Sequence, residues 1–179
     1  NSGCGRGALQ SNTTGSYNTA MGAYALLQNT TAANNTAVGY GALQNNTTGT
    51  NNVAIGYQAL DANTTGNYSV AIGKGALSAA TTGNNNNCIG INAGLTLTTG
   101  GENVSLGSNT LRGTEVTGNY NVAIGNSALG SITSASENVA VGYTALNANT
   151  TGTRNVAVGT DALDSNTTAS DNTAIGHDA

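Results

Sequence analysis

The chain has 179 residues, of which only 7% are charged, and its formal net charge is −4. Four basic residues against eight acidic ones disfavour nucleic-acid binding, and no apolar run approaches the ~20 residues of a membrane helix. There is no Pro, Phe or Trp, although a compact domain of this length usually contains several large aromatic residues.

A repeat marked by one glycine per unit runs through the whole chain. Successive marker glycines are 17 residues apart, except for one step of 18 between Gly107 and Gly125. The extra residue falls in segment 114–118, so it lengthens a turn. The marker glycines are Gly5, Gly22, Gly39, Gly56, Gly73, Gly90, Gly107, Gly125, Gly142, Gly159 and Gly176.

The first element of each unit is a short apolar run that ends at the marker glycine, such as Val53–Ala54–Ile55 before Gly56. A β-branched run bounded by Asn and Gly predicts a strand. The Asn that precedes it recurs in every unit but one, where Ser69 stands instead, and predicts a stacked amide ladder. This Asn column comprises Asn1, Asn18, Asn35, Asn52, Asn86, Asn103, Asn121, Asn138, Asn155 and Asn172.

The rest of each unit is an Ala-Leu pair and an Asn-Thr-Thr-Gly segment. The Ala-Leu pair predicts a second, weaker strand, and the Asn-Thr-Thr-Gly segment predicts a turn. Seventeen residues are too few for a helical repeat, which needs more than thirty. We therefore predict an all-β fold, a parallel β-solenoid or β-roll with 17-residue coils. Residues 1–179 form a single repetitive segment of about ten coils, part of a longer chain, which stack into a rod of roughly 50 Å.

Alternation along a strand places Val53 and Ile55 on one face and Ala54 on the other. All three columns are apolar or small, which is typical of a strand buried on both faces. One face lines the lumen of the coil, and the other needs a cover. Another copy of the chain, related by a rotation axis, is the economical cover. A single chain that leaves this face exposed stays open, because Thr occupies the first strand position at Thr19, Thr36 and Thr173.

Charged and tyrosine side chains avoid the strand motif and fall in the predicted turns, so sequence variation is confined to a rim. The tyrosines are Tyr17, Tyr24, Tyr40, Tyr57, Tyr68, Tyr120 and Tyr143.

The strand motifs at 52–56, 121–125 and 155–159, with the segment of the form NTAIGYxALxxNTTG, resemble the YadA-like head repeats of trimeric autotransporter adhesins. Similar runs occur in bacterial surface fibres and phage tail-fibre proteins. The resemblance covers essentially the whole chain, although the Asn-Thr-Thr-Gly turn makes the unit longer than the usual head repeat. It implies a left-handed β-roll, a homotrimer and an extracellular location.

The sequence predicts no catalytic, cofactor-binding or metal-binding residues, and the protein is expected not to be an enzyme. His177 is the only histidine and lies in the last, incomplete unit, so we expect no Ser–His–Asp or Cys–His arrangement within one chain. It is interpreted as a solvated turn residue. Cys4 and Cys88 are five coils apart, too far for a disulfide, and are expected to be small buried residues. The Asn-Thr-Thr segments also match the glycosylation acceptor pattern, but turn chemistry explains them better.

We therefore expect a structural, non-enzymatic extracellular fibre or adhesin segment, a rigid rod for surface attachment. Its expected partners are two further copies of the chain and a protein or glycan receptor, with no nucleic acid and no membrane insertion. It would be located at the cell surface or on a virion tail fibre. The alternatives are a phage tail-fibre shaft, a self-assembling extracellular filament and an ice-binding solenoid. The Thr pairs disfavour ice binding, because adjacent residues point to opposite sides.

Overall fold

A computed structural model describes residues 1–179 and confirms the all-β parallel solenoid. Eleven strands of three residues form one parallel sheet in sequential order, and there is no helix. The structure accordingly has no long apolar helix able to span a bilayer. The strands β1 to β11 are Ser2–Cys4, Thr19–Met21, Thr36–Val38, Val53–Ile55, Val70–Ile72, Asn87–Ile89, Val104–Leu106, Val122–Ile124, Val139–Val141, Val156–Val158 and Thr173–Ile175.

Equivalent residues of successive coils lie directly above one another. Ala54 of β4 pairs with Ala71 of β5, and the same register continues along the sheet. The amide of Thr36 donates to the carbonyl of Asn52 in the following coil at 2.8 Å, and the amide of Gly39 donates to Met21 in the preceding coil at 2.8 Å. Each coil is therefore hydrogen-bonded on both sides, as in any parallel ladder.

The prediction of a second strand at the Ala-Leu pair is wrong, because these residues form a turn. The leucines have left-handed backbones, with φ of 51° at Leu43 and 52° at Leu60. A left-handed conformation costs a non-glycine residue about 1–2 kcal/mol. Burying a leucine side chain contributes about 1.5–3 kcal/mol, and both leucines are almost fully buried. Burial therefore offsets the strain of the turn.

The lumen of the solenoid is filled by two alanine columns and one leucine column. The middle strand residue, such as Ala54, and the alanine three residues after the marker glycine, such as Ala59, are 0% exposed. Leu60 completes the same layer. These columns belong to one continuous cluster of 28 buried residues. Small side chains suffice because a 17-residue coil encloses a narrow space, which explains why no aromatic residue is buried.

The asparagine column is buried and fully bonded. The side-chain oxygen of Asn52 accepts the backbone amide of Ser69 at 2.9 Å, and its Nδ2 donates to the carbonyl of Gly66 at 2.8 Å. From Asn103 onward, Nδ2 also donates to Oδ1 of the asparagine in the preceding coil. The predicted amide ladder is therefore confirmed in its second half, and side-chain to backbone bonds carry the column throughout.

A second asparagine column lies inside the coil, at the first residue of the Asn-Thr-Thr segments. Nδ2 of Asn46 donates to Oδ1 of Asn29 at 3.0 Å and to the carbonyl of Gly49 at 2.9 Å. In the middle coils, buried apolar residues stand in place of these asparagines. They are Ala80, Leu97, Val116 and Ile132.

In the middle coils, changes in side-chain size within the lumen compensate one another. Cys88 stands where other coils have alanine, and Gly94 stands where they have leucine. A Cβ at position 94 would lie 2.8 Å from Cys88 Sγ. In the next coil Ser105 and Thr110 form a buried hydroxyl pair. The larger side chain at Cys88 is thus matched by the missing one at Gly94.

The marker glycines are required by both conformation and close approach. Gly56 has a φ of 136°, a region that L residues rarely adopt. A Cβ there would lie 2.5 Å from the carbonyl oxygen of Gly73 in the next coil. Neighbouring backbones therefore approach too closely at the marker column to leave room for a side chain.

Substituting Gly56→Ala should lower the free energy of unfolding by about 3 kcal/mol or more, because it adds backbone strain to a clash with the next coil. Gly41→Ala is the matched control, since Gly41 has a φ of 65° but its Cβ would approach only the flexible side chains of Gln44 and Gln58, at 3.2 and 3.5 Å. We expect the control to lose about 1 kcal/mol. Urea unfolding followed by circular dichroism measures both, and equal losses would contradict the close-approach argument.

Substituting Asn52→Ala should cost about 2 kcal/mol, because it leaves the buried amide of Ser69 without a partner. It also removes one of the two hydrogen bonds to the carbonyl of Gly66, which keeps the bond from Asn63. Asn52→Ser should cost less, since the natural Ser69 already accepts the amide of Asn86 through its hydroxyl, at 3.2 Å. The same unfolding measurement ranks the two variants. A serine variant as unstable as the alanine variant would show that the Asn52 side chain stabilises the coil by packing alone.

Candidate binding surface

The outer face of the sheet is an apolar stripe. The middle residue of each strand points into the lumen and its two neighbours point outward: Ala54 is 0% exposed, Val53 is half-buried and Ile55 is 38% exposed. This confirms the predicted alternation of faces. The outward residues of β2 to β11, which we call the apolar stripe, are mostly Val, Ile, Leu and Met, with polar interruptions at Thr19, Thr36, Asn87 and Thr173.

The apolar stripe runs the length of the rod, because its third strand position is apolar in every strand from β2 to β11. At the spacing of parallel strands, eleven strands extend over about 50 Å. Single exposed apolar side chains are ordinary, but an unbroken row of them is typical of an interaction surface. The most exposed members are Met21, Ile55, Ile89, Leu106 and Ile175.

Charged and aromatic residues flank the stripe on both edges. One edge is the position after the marker glycine, with Lys74 and Tyr57 as examples, and the other is the position before the asparagine column, with Glu137 and Tyr68. Tyr57 and Tyr68 are 49% and 61% exposed. The charged and tyrosine residues of these edges therefore lie on the outside, as predicted, although the lumen also varies, at Cys88, Gly94 and Ser105. An apolar centre between polar, tyrosine-rich edges has the composition of many protein interfaces.

One edge carries an aromatic ladder in the first four coils. The rings of Tyr40 and Tyr57 stack with centroids 5.4 Å apart, and Tyr24 meets Tyr40 edge-on at 5.6 Å. The Arg6 guanidinium lies 5.5 Å from the centre of the Tyr24 ring. Because ring faces are used on one another, this ladder offers mainly ring edges and hydroxyl groups to a partner.

The other edge carries an exposed ion pair between neighbouring coils. Arg154 donates two hydrogen bonds to the Asp171 carboxylate, at 2.6 and 2.9 Å. This pairing lowers the pKa of Asp171 below its usual value. Both side chains are more than half exposed, so solvent screens the interaction.

The only histidine lies in the last coil beside two carboxylates. His177 Nδ1 is 2.8 Å from an oxygen of Asp178, and Asp161 completes a group whose potential metal-ligand atoms lie within 4.8 Å of one another. His177 and Asp178 are exposed, and Asp161 already accepts a hydrogen bond from Thr144. His177 is therefore exposed to solvent, as predicted for a turn residue.

The two cysteines have opposite environments. Both are free, as their separation predicted. Cys88 is buried in the lumen, and burial raises the pKa of its thiol to about 12. The expectation that Cys4 is buried is wrong, because Cys4 occupies the outward third position of β1.

The Asn-Thr-Thr segments are turns whose asparagine side chains point inward. Asn29, Asn46, Asn63 and Asn149 are at most 1% exposed, so the folded coil shields these amides from glycosylation. The first threonine of each pair bonds to the backbone of the next coil, as Thr64 does to Thr81 at 3.1 Å, whereas Thr65 is exposed. The pairs therefore do not present two parallel columns of free hydroxyl groups.

Comparison with known proteins found no relative of this chain. No family model, no curated protein and no solved structure matches this chain. The resemblance to adhesin head repeats therefore stays a prediction that depends on the strand motifs alone.

The thiol environments can be checked by labelling with Ellman's reagent at pH 8. Cys4 should react in the native protein, while Cys88 should react only after unfolding, because its thiol is enclosed and stays protonated to about pH 12. A Cys4→Ser variant isolates the buried thiol. Rapid native labelling of that variant would show that the middle coils open readily.

Proposed function

We propose that this chain is a structural, non-enzymatic segment of an extracellular fibre or adhesin, in which three copies associate through the apolar stripe. The observation that carries the proposal is the apolar stripe, whose third strand position is apolar in every strand from β2 to β11, with its polar, tyrosine-rich edges. The number three and the extracellular location come from the resemblance to adhesin head repeats. Association would remove the outward side chains from water, which the single chain leaves partly exposed.

The size of the surface fits a stable interface. The stripe with its two edges is about 50 Å long and roughly 15 Å wide. That is close to the ~800 Å² per partner of a standard protein interface. Its centre holds no charged residue, so association would bury no unpaired charge.

The rod itself is the functional product of the repeat. Each coil adds the same rise and repeats the same edge positions, so the number of coils sets both the reach and the number of contact points. Weak contacts repeated along a rigid rod combine into firm attachment. The charged and tyrosine residues that vary between coils lie on the edges, at the margin of the proposed interface, where a receptor could still reach their outer parts.

Three alternatives share the architecture. A phage tail-fibre shaft would use the same trimer, and a self-assembling filament would use the stripe to form open polymers. The ice-binding alternative is the least supported, because the first threonine of each pair is engaged with the backbone and the stripe is mainly aliphatic.

The native mass of the 179-residue chain tests the proposal. We expect three times the chain mass of 17.5 kDa by light scattering and native mass spectrometry. The double variant Ile55→Glu and Ile124→Glu should dissociate to monomers, because it places charges in the proposed interface. Thr65→Glu, which adds a charge on an exposed turn, is the matched control.

A wild-type chain that is monomeric at micromolar concentration would contradict the trimer. A dimer would indicate that two stripes pack face to face. Filaments that grow with concentration would favour the self-assembling alternative, and thermal hysteresis would favour ice binding.

A further inference from the structure

The solenoid has an open, polar pocket where two irregularities of the repeat meet. Gly101 occupies a position at which the other coils carry Ser, Ala, Thr or Asn. The adjacent coil contains the 18-residue step. Together they leave a pocket of about 240 Å³ between Asn84 in one coil and Asn119 two coils later.

The two asparagines that bound the pocket are oriented by the backbone. The amide of Asn67 donates to Oδ1 of Asn84 at 2.8 Å, and the amide of Gly101 donates to Oδ1 of Asn119 at 2.7 Å. A backbone amide can only donate, so the oxygen positions are determined. The two side-chain NH₂ groups make no hydrogen bond within the chain and are free donors.

The remaining walls add acceptors and an aromatic ring. Glu102, Tyr120, Asn85 and Thr99 also line the pocket. The Glu102 carboxylate, the Tyr120 hydroxyl and the Asn85 side-chain amide make no hydrogen bond within the chain. No cationic side chain pairs with Glu102, since the ion pairs of the protein are Arg154–Asp171 and His177–Asp178. The Tyr120 ring is 57% exposed.

This arrangement selects a class of ligand. Free NH₂ donors do not coordinate a cation, which requires oxygen ligands. The carboxylate repels an anion. A hydroxyl group both donates and accepts, so a compound with several adjacent hydroxyl groups satisfies the amides and the carboxylate together. An exposed tyrosine ring offers an apolar face beside these polar groups.

We propose that this pocket, formed by Asn84, Asn85, Gly101, Glu102, Asn119 and Tyr120, binds a neutral saccharide unit. The volume is slightly below that of pockets for drug-sized ligands and suits a single sugar ring at the end or side of a glycan. The inference names a glycan as the receptor class for the proposed attachment function, and it rests on that function for its biological role.

An array of immobilised neutral and sialylated glycans tests the proposal on the whole 179-residue chain. Neutral glycans should bind, and EDTA should not change the signal. Gly101→Asn should abolish binding because it fills the pocket with a residue that neighbouring coils carry at the same position. Glu102→Gln should weaken binding about tenfold through loss of a charge-assisted hydrogen bond.

Two variants control for general effects on the solenoid. Ala33→Asn makes the same type of change as Gly101→Asn in a distant coil, and Glu137→Gln removes a carboxylate at the equivalent edge position outside the pocket. Both should bind as the wild type does. Circular dichroism of all four variants verifies that the solenoid is folded.

The proposal is overturned if no neutral glycan binds, if only sialylated glycans bind, if EDTA removes binding, or if a folded Gly101→Asn variant binds as the wild type does. The native mass separates this inference from the proposed trimer. A monomer that binds neutral glycans through the pocket would overturn the trimer alone, and a trimer that binds none would overturn the pocket alone.

Discussion

Every coil of this protein depends on its neighbours for its backbone hydrogen bonds. A three-residue strand has no stability of its own, and the turn residues around it also donate to the coil above or below. The ladder forms only where equivalent residues lie in register, so the 17-residue period cannot drift. The marker glycines show how strict this is, because the carbonyl oxygen of the next coil occupies the place of their missing Cβ. An insertion is accommodated once, at a turn, between Gly107 and Gly125.

The narrow lumen follows from the short coil and explains the composition. Two alanines and one leucine fill most layers, and two columns of asparagine satisfy the backbone groups that the strands leave unpaired. Where an asparagine is replaced by an apolar residue, as at Leu97, other positions of the same coil change as well. Gly94 and Cys88 are the clearest example, because Gly94 is smaller than the usual leucine and Cys88 is larger than the usual alanine beside it. Because the interior is so uniform, it leaves little freedom for chemistry, and the outer surface carries the variation.

That surface has two kinds of feature with different origins. The apolar stripe is a consequence of regularity, because each strand adds the same pair of outward side chains to it. The polar pocket beside Gly101 is a consequence of irregularity, because a missing side chain and a longer turn meet there. A regular array suits association between copies of the chain, whereas a unique pocket suits recognition of one ligand. The pocket lies along one edge of the stripe, since Glu102 and Tyr120 directly precede the asparagine column. Assembly and attachment would therefore use neighbouring surfaces of the same segment.

Much of the fold follows from the sequence alone, because a strict period leaves few ways to stack the chain. The strand positions, their faces, the stacked asparagine column and the separation of Cys4 from Cys88 all depend on spacing, which is visible in one dimension. Other features depend on how the coil closes in space. Only the tertiary structure shows that Leu60 occupies a left-handed turn. The left-handed backbone costs free energy, which makes a strand the natural prediction, but burial of the side chain offsets that cost. Only the tertiary structure shows that Cys4 points outward and that the Asn-Thr-Thr amides point inward. It alone also shows the pocket that Gly101 opens between Asn84 and Asn119. All three features depend on contacts between residues 17 or 18 positions apart.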